Sequence, residues 1–155
     1  IGLPASLNKG IKSSRGDFIV RVDADDYVNK NFLNFLYLYL ETNKECNAVA
    51  CDYLLVDDTE NLIRRENCIE NPIGCGILFR KESMTREGLY DEKFRYHEDS
   101  DFRLRFEKNN IIERLKIPLY RYRRHKTNIT NNTRKMNIYK NRFLKKHNIF
   151  NKNTK

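Results

Sequence analysis

The stretch Phe18-Ile19-Val20-Arg21-Val22-Asp23-Ala24-Asp25-Asp26 decides how this chain is read. Its first five residues form a short apolar run with β-branched side chains, the pattern of a buried strand. Three carboxylates follow, and Tyr27-Val28-Asn29 leads into a strongly periodic segment. The end of a strand that gives way to a helix is where α/β proteins bind ligands. Carboxylates this close repel one another and are costly to bury without a cation. A divalent metal removes that cost and can hold a phosphorylated substrate. The competing reading is a turn with an Asp helix cap, and the segment by itself does not separate the two.

The periodic segment places Phe32, Phe35, Leu36, Tyr39 and Leu40 at i, i+3, i+4, i+7 and i+8, which predicts a helix with one apolar stripe against a sheet. On the other side, Leu3, Leu7 and Ile11 predict a short helix before the strand. Gly10 within it is unfavourable by roughly 1 kcal/mol relative to Ala, which suggests a close approach to another element. Asn47 to Val56 reads as a second buried strand, and Leu62 to Arg65 as its hairpin return after a polar turn. In Pro72-Ile73-Gly74-Cys75-Gly76, two glycines flanking one residue let the backbone pass close to a ligand. Arg80 to Thr85 reads as a short helix.

Glu98, Asp99 and Asp101 open a helix predicted to run to about Lys108. Carboxylates at a helix start are favoured by its dipole by roughly 0.3–1 kcal/mol, which explains them without a function. The functional alternative is a general base that takes a proton from an attacking hydroxyl. Ile111 to Ile117 and Leu119 to Tyr122 read as two strands around Pro118. His125 follows among Arg121, Arg123, Arg124 and Lys126. These cations oppose a further positive charge and favour an imidazole able to bind metal. Asn132 to about His147 predicts a final basic helix, and the polar tail from Asn148 to Lys155 is expected to fray.

A chain of 155 residues corresponds to about one domain. No apolar run approaches the ~18 residues that a membrane-spanning helix requires. The net charge of +9 is unevenly spread: the first 113 residues carry −5 and the remainder +14. Such a basic segment suits an anionic partner, whether nucleic acid, a membrane face or a phosphorylated substrate, or is simply a solvated face. Cys46, Cys51, Cys68 and Cys75 lack the spacing of a zinc or redox site and read as four reduced thiols.

Taken in order, these features resemble the family-2 glycosyltransferases of the GT-A fold. Gly2 to Ile11 is similar to their G-x-x-x-x-x-N-x-G-I segment, and Arg15-Gly16-Asp17-Phe18-Ile19 followed by Asp23 to Asp26 to their strand and D-x-D motif. Pro72 to Arg80 resembles the glycine loop before L-F-R. Gly88 to Phe94 and His97 to Phe102 resemble G-x-F-D-E-x-F and the E-D motif, and Tyr120 to His125 the late strand that ends in a basic-His cluster.

The resemblance implies an α/β fold: a partial GT-A, Rossmann-like mixed sheet flanked by helices over residues 1–130, with a basic C-terminal helix and tail over 131–155. It implies an inverting, metal-dependent transfer of a sugar from a nucleotide diphosphate, foremost a UDP-sugar, to a saccharide or lipid-linked acceptor in bacterial surface polysaccharide synthesis. Asp23 would bind the ribose. Asp25 would hold Mg²⁺ or Mn²⁺ on the donor diphosphate, supported by Asp26, with His125 completing the metal or diphosphate contacts and Arg124 among the donor-binding residues. Gly74, Cys75 and Gly76 would line the donor–acceptor pocket. Asp99 would be the catalytic base, with Glu98 orienting the acceptor or sharing the task. Members of the family begin with nucleotide-binding strands that have no counterpart before Gly2, so the expectation is a fragment with an incomplete sheet and a weak or absent donor site. The expected location is cytoplasmic, with a peripheral membrane contact through Lys140, Arg142, Lys145 and Lys146. The alternatives are a non-catalytic remnant and a basic nucleic-acid-binding module.

Overall fold

The computed structural model describes residues 2–126, 128 and 131–149. Of the expected frayed tail, residues 150–155 lie outside that set. In chain order the elements are α1 (Leu3–Ser13), β1 (Phe18–Val20), β2 (Tyr27–Val28), α2 (Phe32–Thr42), β3 (Ala48–Val56), β4 (Leu62–Glu66), β5 (Ile77–Arg80), α3 (Lys81–Arg86), α4 (Glu98–Phe106), β6 (Ile112–Arg123) and α5 (Thr133–Lys146).

The sheet has the order β1-β5-β3-β6-β2, and β4 pairs with the second half of β3. β3 and β6 run parallel, and the β1–β5, β5–β3, β3–β4 and β6–β2 pairs are antiparallel, so the sheet is mixed. β3 is central and buried along nearly its whole length. This is why its sequence reads as a continuous apolar run rather than an alternation.

The two strands expected around Pro118 are one strand, β6. Cys51 pairs with Leu115 but Asp52 with Pro118, so β6 carries two extra residues there. Proline cannot donate to the ladder, and an irregularity is where a strand accommodates it. At the far end of β6, Tyr120 and Arg121 pair with Val28 and Tyr27 of β2, a strand too short to show as a pattern in the sequence.

α2 buries Phe32, Leu36 and Leu40 beside β3 and β6. The stripe is narrower than its sequence suggests: Phe35 is 41% exposed, and Leu33, Tyr37 and Leu38 face outward. At about 100° per residue the buried stripe centres on Leu36, which leaves Phe35 about 100° round the helix. Gly10 is also not what it seemed, since nothing lies within 4 Å of where its Cβ would be. The close contact of α1 belongs to Asn8 instead. Its Nδ2 donates to the carbonyl of Tyr90 at 2.8 Å, and its Oδ1 accepts from the Tyr90 N–H at 2.9 Å.

A second buried carboxylate anchors the sheet away from the motif. Asp52 on β3 accepts two bonds from Arg114, both at 2.8 Å, and one from Arg65 at 2.9 Å. Burial works against its charge, but these guanidinium bonds prevail and hold its pKa down at about 2.

α5 packs back on the segment before α4. Tyr139 lies against Tyr96, and Phe143 stacks on His97. Lys146 reaches Asp91 at 2.9 Å and the fully buried Asp101 at 2.6 Å, and His147 Nε2 lies 2.8 Å from the same Asp101 oxygen. Lys146, expected on a membrane-facing surface, is therefore engaged within the fold. The four cysteines are free, as their spacing suggests. Among the described residues, no helix is long and apolar enough to cross a membrane.

Candidate active site

The three carboxylates after β1 are each committed to a different partner. Asp23 accepts a bidentate clamp from Arg21, Nε to Oδ1 at 2.6 Å and Nη2 to Oδ2 at 3.0 Å. Arg21 Nη1 reaches on to Glu98 Oε1 at 3.2 Å. One guanidinium thus joins the end of β1 to the start of α4. Burial opposes the charge of Arg21, but the bond to Asp23 and the surrounding negative charge outweigh it and hold the side chain firmly as a cation.

Asp26 faces β6. Its Oδ2 accepts from Tyr120 Oη at 2.7 Å and its Oδ1 from the Arg123 N–H at 2.8 Å. Tyr120 Oη in turn accepts from the Asp23 N–H at 3.2 Å. Burial raises the Asp26 pKa despite these bonds, with the neighbouring Asp25 and Asp23 adding to the rise. Asp26 therefore fastens the turn to the sheet.

Asp25 is the carboxylate left facing solvent, 45% exposed. Its Oδ2 lies 2.8 Å from His125 Nε2 and 3.5 Å from Asn128 Nδ2. The chain reverses at His125, where Asn128 Oδ1 accepts from the His125 N–H.

The glycine loop completes the wall. A Cβ on Gly74 would stand 2.9 Å from Asp99 Cβ and 3.0 Å from Arg21 Nη1, so no side chain fits between them. Gly76 has φ +71°, and a Cβ there would meet the Tyr120 ring at 3.4 Å. L-residues rarely adopt that conformation. Cys75 between them is buried, and burial pushes its thiol pKa up.

Glu98 and Asp99 are adjacent in sequence and differently placed. Glu98 is 7% exposed and paired with Arg21; burial, then the Asp99 charge, raise its pKa. Asp99 is half-buried, and its Oδ1 accepts from the Ser100 N–H at 2.8 Å. It lies on the wall of a cavity of about 490 Å³ that Arg21, Asp23, Asp25, Asp26, Gly74, Cys75, Arg95 and Glu98 also line. That volume lies within the ~300–1,000 Å³ range of small-molecule sites.

Of the residues singled out in the sequence, the fold brings Asp23, Asp25, Asp26, Gly74, Cys75, Glu98 and Asp99 to one cavity, with His125 held on Asp25. Gly76 stands behind the wall. Arg124 is not on the wall: its N–H is tied to the Val56 carbonyl at 2.8 Å, and its side chain is exposed. Arg21, Tyr120 and Asn128 escaped the sequence reading. Arg21 had a signal, being a lone charge in an apolar strand two residues before Asp23 and so on its side of the backbone. Tyr120 and Asn128 had none.

The donor sets bear on where a divalent ion fits. Asp23, Asp26 and Cys75 bring possible ligand atoms within 4.8 Å of one another. The oxygens of both carboxylates are already bonded, however, and the thiol is kept protonated by its burial. Asp25 Oδ2 and His125 Nε2 lie 2.8 Å apart and bond each other, and as the pair that faces solvent they offer a carboxylate oxygen and an imidazole nitrogen to a divalent ion. The residues present thus fit a metal at Asp25.

Known proteins are similar to this chain in sequence and in fold. The family model described as glycosyl transferase family 2 matches residues 2–152. EpsJ of Bacillus subtilis, an uncharacterized glycosyltransferase, is 28% identical over 152 residues, covering 83% of this chain and 44% of its own. The uncharacterized glycosyltransferase MJ1057 of Methanocaldococcus jannaschii is 25% identical over 169 residues, covering 95% and 56%. The chain spans about half the length of the curated relatives it matches. Among solved structures, S. aureus TarS 1–349 in complex with UDP superposes with a TM-score of 0.65 at 16% identity, over 89% of this chain and 45% of that one. The fold is that of the GT-A glycosyltransferases.

Proposed function

Because the chain belongs to glycosyl transferase family 2, we propose that its cavity performs, or supplies the catalytic half of, an inverting sugar transfer from a nucleotide-diphosphate donor. The observation that carries this is the position of Asp99. It is pressed against Gly74 on a cavity wall that also holds the three carboxylates after β1.

In this reading Asp99 accepts the proton of an acceptor hydroxyl as that oxygen attacks the anomeric carbon. The nucleoside diphosphate departs on the opposite side in a single displacement that inverts the configuration. Glu98, held by Arg21, is the positioning residue beside it and does not take the proton. Asp23, held flat by Arg21, faces the ribose. Asp25 and His125 would hold Mg²⁺ or Mn²⁺, which supplies positive charge to the departing diphosphate. Arg95 is a further cation on the wall.

A UDP-sugar is the donor this reading favours, because the similar fold of TarS is solved with UDP. The surface-polysaccharide setting follows from the family resemblance alone. A membrane contact, if the basic face of α5 makes one, falls to Lys140, Arg142 and Lys145, since Lys146 is occupied. The nucleic-acid reading loses ground for a related reason: Arg114, Arg123 and Lys146 are all paired with carboxylates of the same chain.

Isothermal titration of the folded chain with UDP, with and without Mn²⁺, tests the proposal. Manganese-dependent binding that is lost in Asp25→Ala and kept in Asp99→Asn is the expected result. Binding that ignores both the metal and Asp25 would overturn the assignment.

A further inference from the structure

The turn that aims Asp99 has a backbone conformation its own sequence disfavours. His97, the cap residue of α4, has φ +59° and ψ +23°, in the left-handed region. Side chains other than glycine are uncommon there, and such a conformation persists only where the surroundings over-determine it. Glu60, His97 and Asn148 are the non-glycine residues with positive φ among the described ones, and of these His97 alone is on the cavity wall. Its side chain gives no local reason for the turn: it makes no capping hydrogen bond, and its Nε2 is buried without a partner. Relaxation of His97 to the right-handed region would rotate φ by roughly 120° and turn Glu98 and Asp99 away from Arg21 and Gly74.

What over-determines the turn is α5. The Phe143 ring stacks on the His97 ring, with centroids 6.3 Å and planes 26° apart, and Tyr139 lies on Tyr96 at 5.3 Å. Beyond Asp99, Lys146 Nζ lies 2.6 Å and His147 Nε2 2.8 Å from Asp101 Oδ1. The Asp101 N–H donates to the His97 carbonyl at 2.9 Å and closes the first turn of α4. Lys146 also sits over the Phe94 ring at 4.9 Å. One helix thus grips the chain on both sides of Glu98 and Asp99. On the reading of Asp99 as the base given above, we propose that Phe143, acting through His97, is a positioning residue for that base, and that α5 is part of the transfer apparatus rather than an appended basic helix. A catalytic group misplaced by about 1 Å loses ~100-fold in rate, so a helix that fixes this turn governs the rate without touching substrate.

Amide exchange followed by NMR reads the turn directly. The Ser100 N–H donates to Asp99 Oδ1 and the Asp101 N–H to the His97 carbonyl, so both amides report whether Asp99 is held. Phe143→Ala should speed their exchange ~10-fold or more while the amides of β3 stay protected. Phe143→Tyr keeps the ring and should change neither. His97→Gly added to Phe143→Ala should restore part of the protection, because glycine takes the left-handed conformation without strain. In UDP release from a panel of UDP-sugars with Mn²⁺, Phe143→Ala should lower kcat ~100-fold and leave the donor KM unchanged. Unchanged exchange at Ser100 and Asp101, exchange raised equally in β3, a double variant no better protected than Phe143→Ala, or a loosened turn with kcat kept each overturns the positioning role. Manganese-dependent UDP binding in the same variant then shows the donor reading intact. A chain that releases no UDP, or releases it as fast with Asp99→Asn, overturns Asp99 as the base and the positioning role with it.

Discussion

Replacing Arg21 with Met tests whether one guanidinium holds the two halves of the site together. Met keeps much of the length of the side chain and removes its charge and five donors. The substitution strips Asp23 of both clamp bonds and leaves Glu98, 7% exposed, beside the Asp99 carboxylate with no cation. Removing one partner of a buried pair costs about 3–5 kcal/mol. Asp23 is 30% exposed and can recover hydration, so the expected loss is about 2–3 kcal/mol, below the full penalty of a buried pair. At ~2–4 °C per kcal/mol for a chain of this size, the midpoint of thermal unfolding falls by roughly 5–10 °C.

The loss should also depend on pH in a definite direction. Glu98 already titrates above its ordinary value because of burial and Asp99, and Arg21 opposes that rise. Without Arg21 the rise is larger. A carboxyl whose folded pKa is raised stabilises the fold when protonated, and that stability is lost as pH climbs through the folded value. The deficit of Arg21→Met is therefore smaller at pH 5 than at pH 8, and Glu98→Gln in the same background should restore part of it at pH 8. Urea unfolding of the four variants in a double-mutant cycle reads all of this. A deficit below about 1 kcal/mol, the level of an exposed ion pair, or one that is flat from pH 5 to pH 8, refutes the clamp.

Gly74→Ala places a Cβ 2.9 Å from Asp99 Cβ; overpacking of this kind costs about 1–3 kcal/mol in urea unfolding, and on the proposed role of Asp99 its displacement should lower sugar transfer ~100-fold. Gly10→Ala should stabilise by about 0.5–1 kcal/mol in the same assay, because α1 gains a better helix former where nothing obstructs it. Asp52→Asn turns an amide against two guanidinium groups and should cost about 3 kcal/mol at neutral pH. Asp52 titrates at about 2 when folded, so its stabilisation is complete above its unfolded value near 4 and fades as acid approaches 2. The difference between Asp52→Asn and the parent should accordingly narrow from pH 5 downward, and a constant gap would contradict the assigned ion pair.

Much of this site was legible before the fold was known, and the part that was not has a common cause. The carboxylates after β1 announced themselves as a costly cluster at a strand end. The acidic opening of α4 announced a helix start, which it is. What no local pattern carried was the division of labour, because the partners that create it are distant: Tyr120 is 94 residues from Asp26, and His125 is 100 from Asp25. The same distance separates the right and wrong expectations about glycine. Gly74 needs its missing side chain because Arg21 and Asp99 converge there from elsewhere in the chain, whereas Gly10 faces open space. A sequence window shows that a glycine is present and does not show what approaches it. The apolar stripe of α2 ran wide for a related reason, since only the sheet beneath decides how much of it is covered.

The division of labour also relieves the repulsion among three carboxylates that stand within four residues. Each is relieved by a different physical means. Asp23 is paired with the Arg21 guanidinium, and Asp26 is held by two hydrogen bonds to β6 while burial raises its pKa. Asp25 is left to solvent and an imidazole. Two of the three costs are thus met by groups of the chain itself. The third is left as the place where a cation would gain most. A protein that used all three carboxylates as ligands would need its metal in order to fold there. Here the turn presents a single outward carboxylate, Asp25, so on the proposed metal site the metal is not what holds the turn in place. Removal of metal by a chelator should therefore abolish UDP binding while lowering the unfolding midpoint only by the mass-action contribution of one site, with the fold kept. Loss of the fold on chelation would show that the turn after β1 needs its metal in order to form.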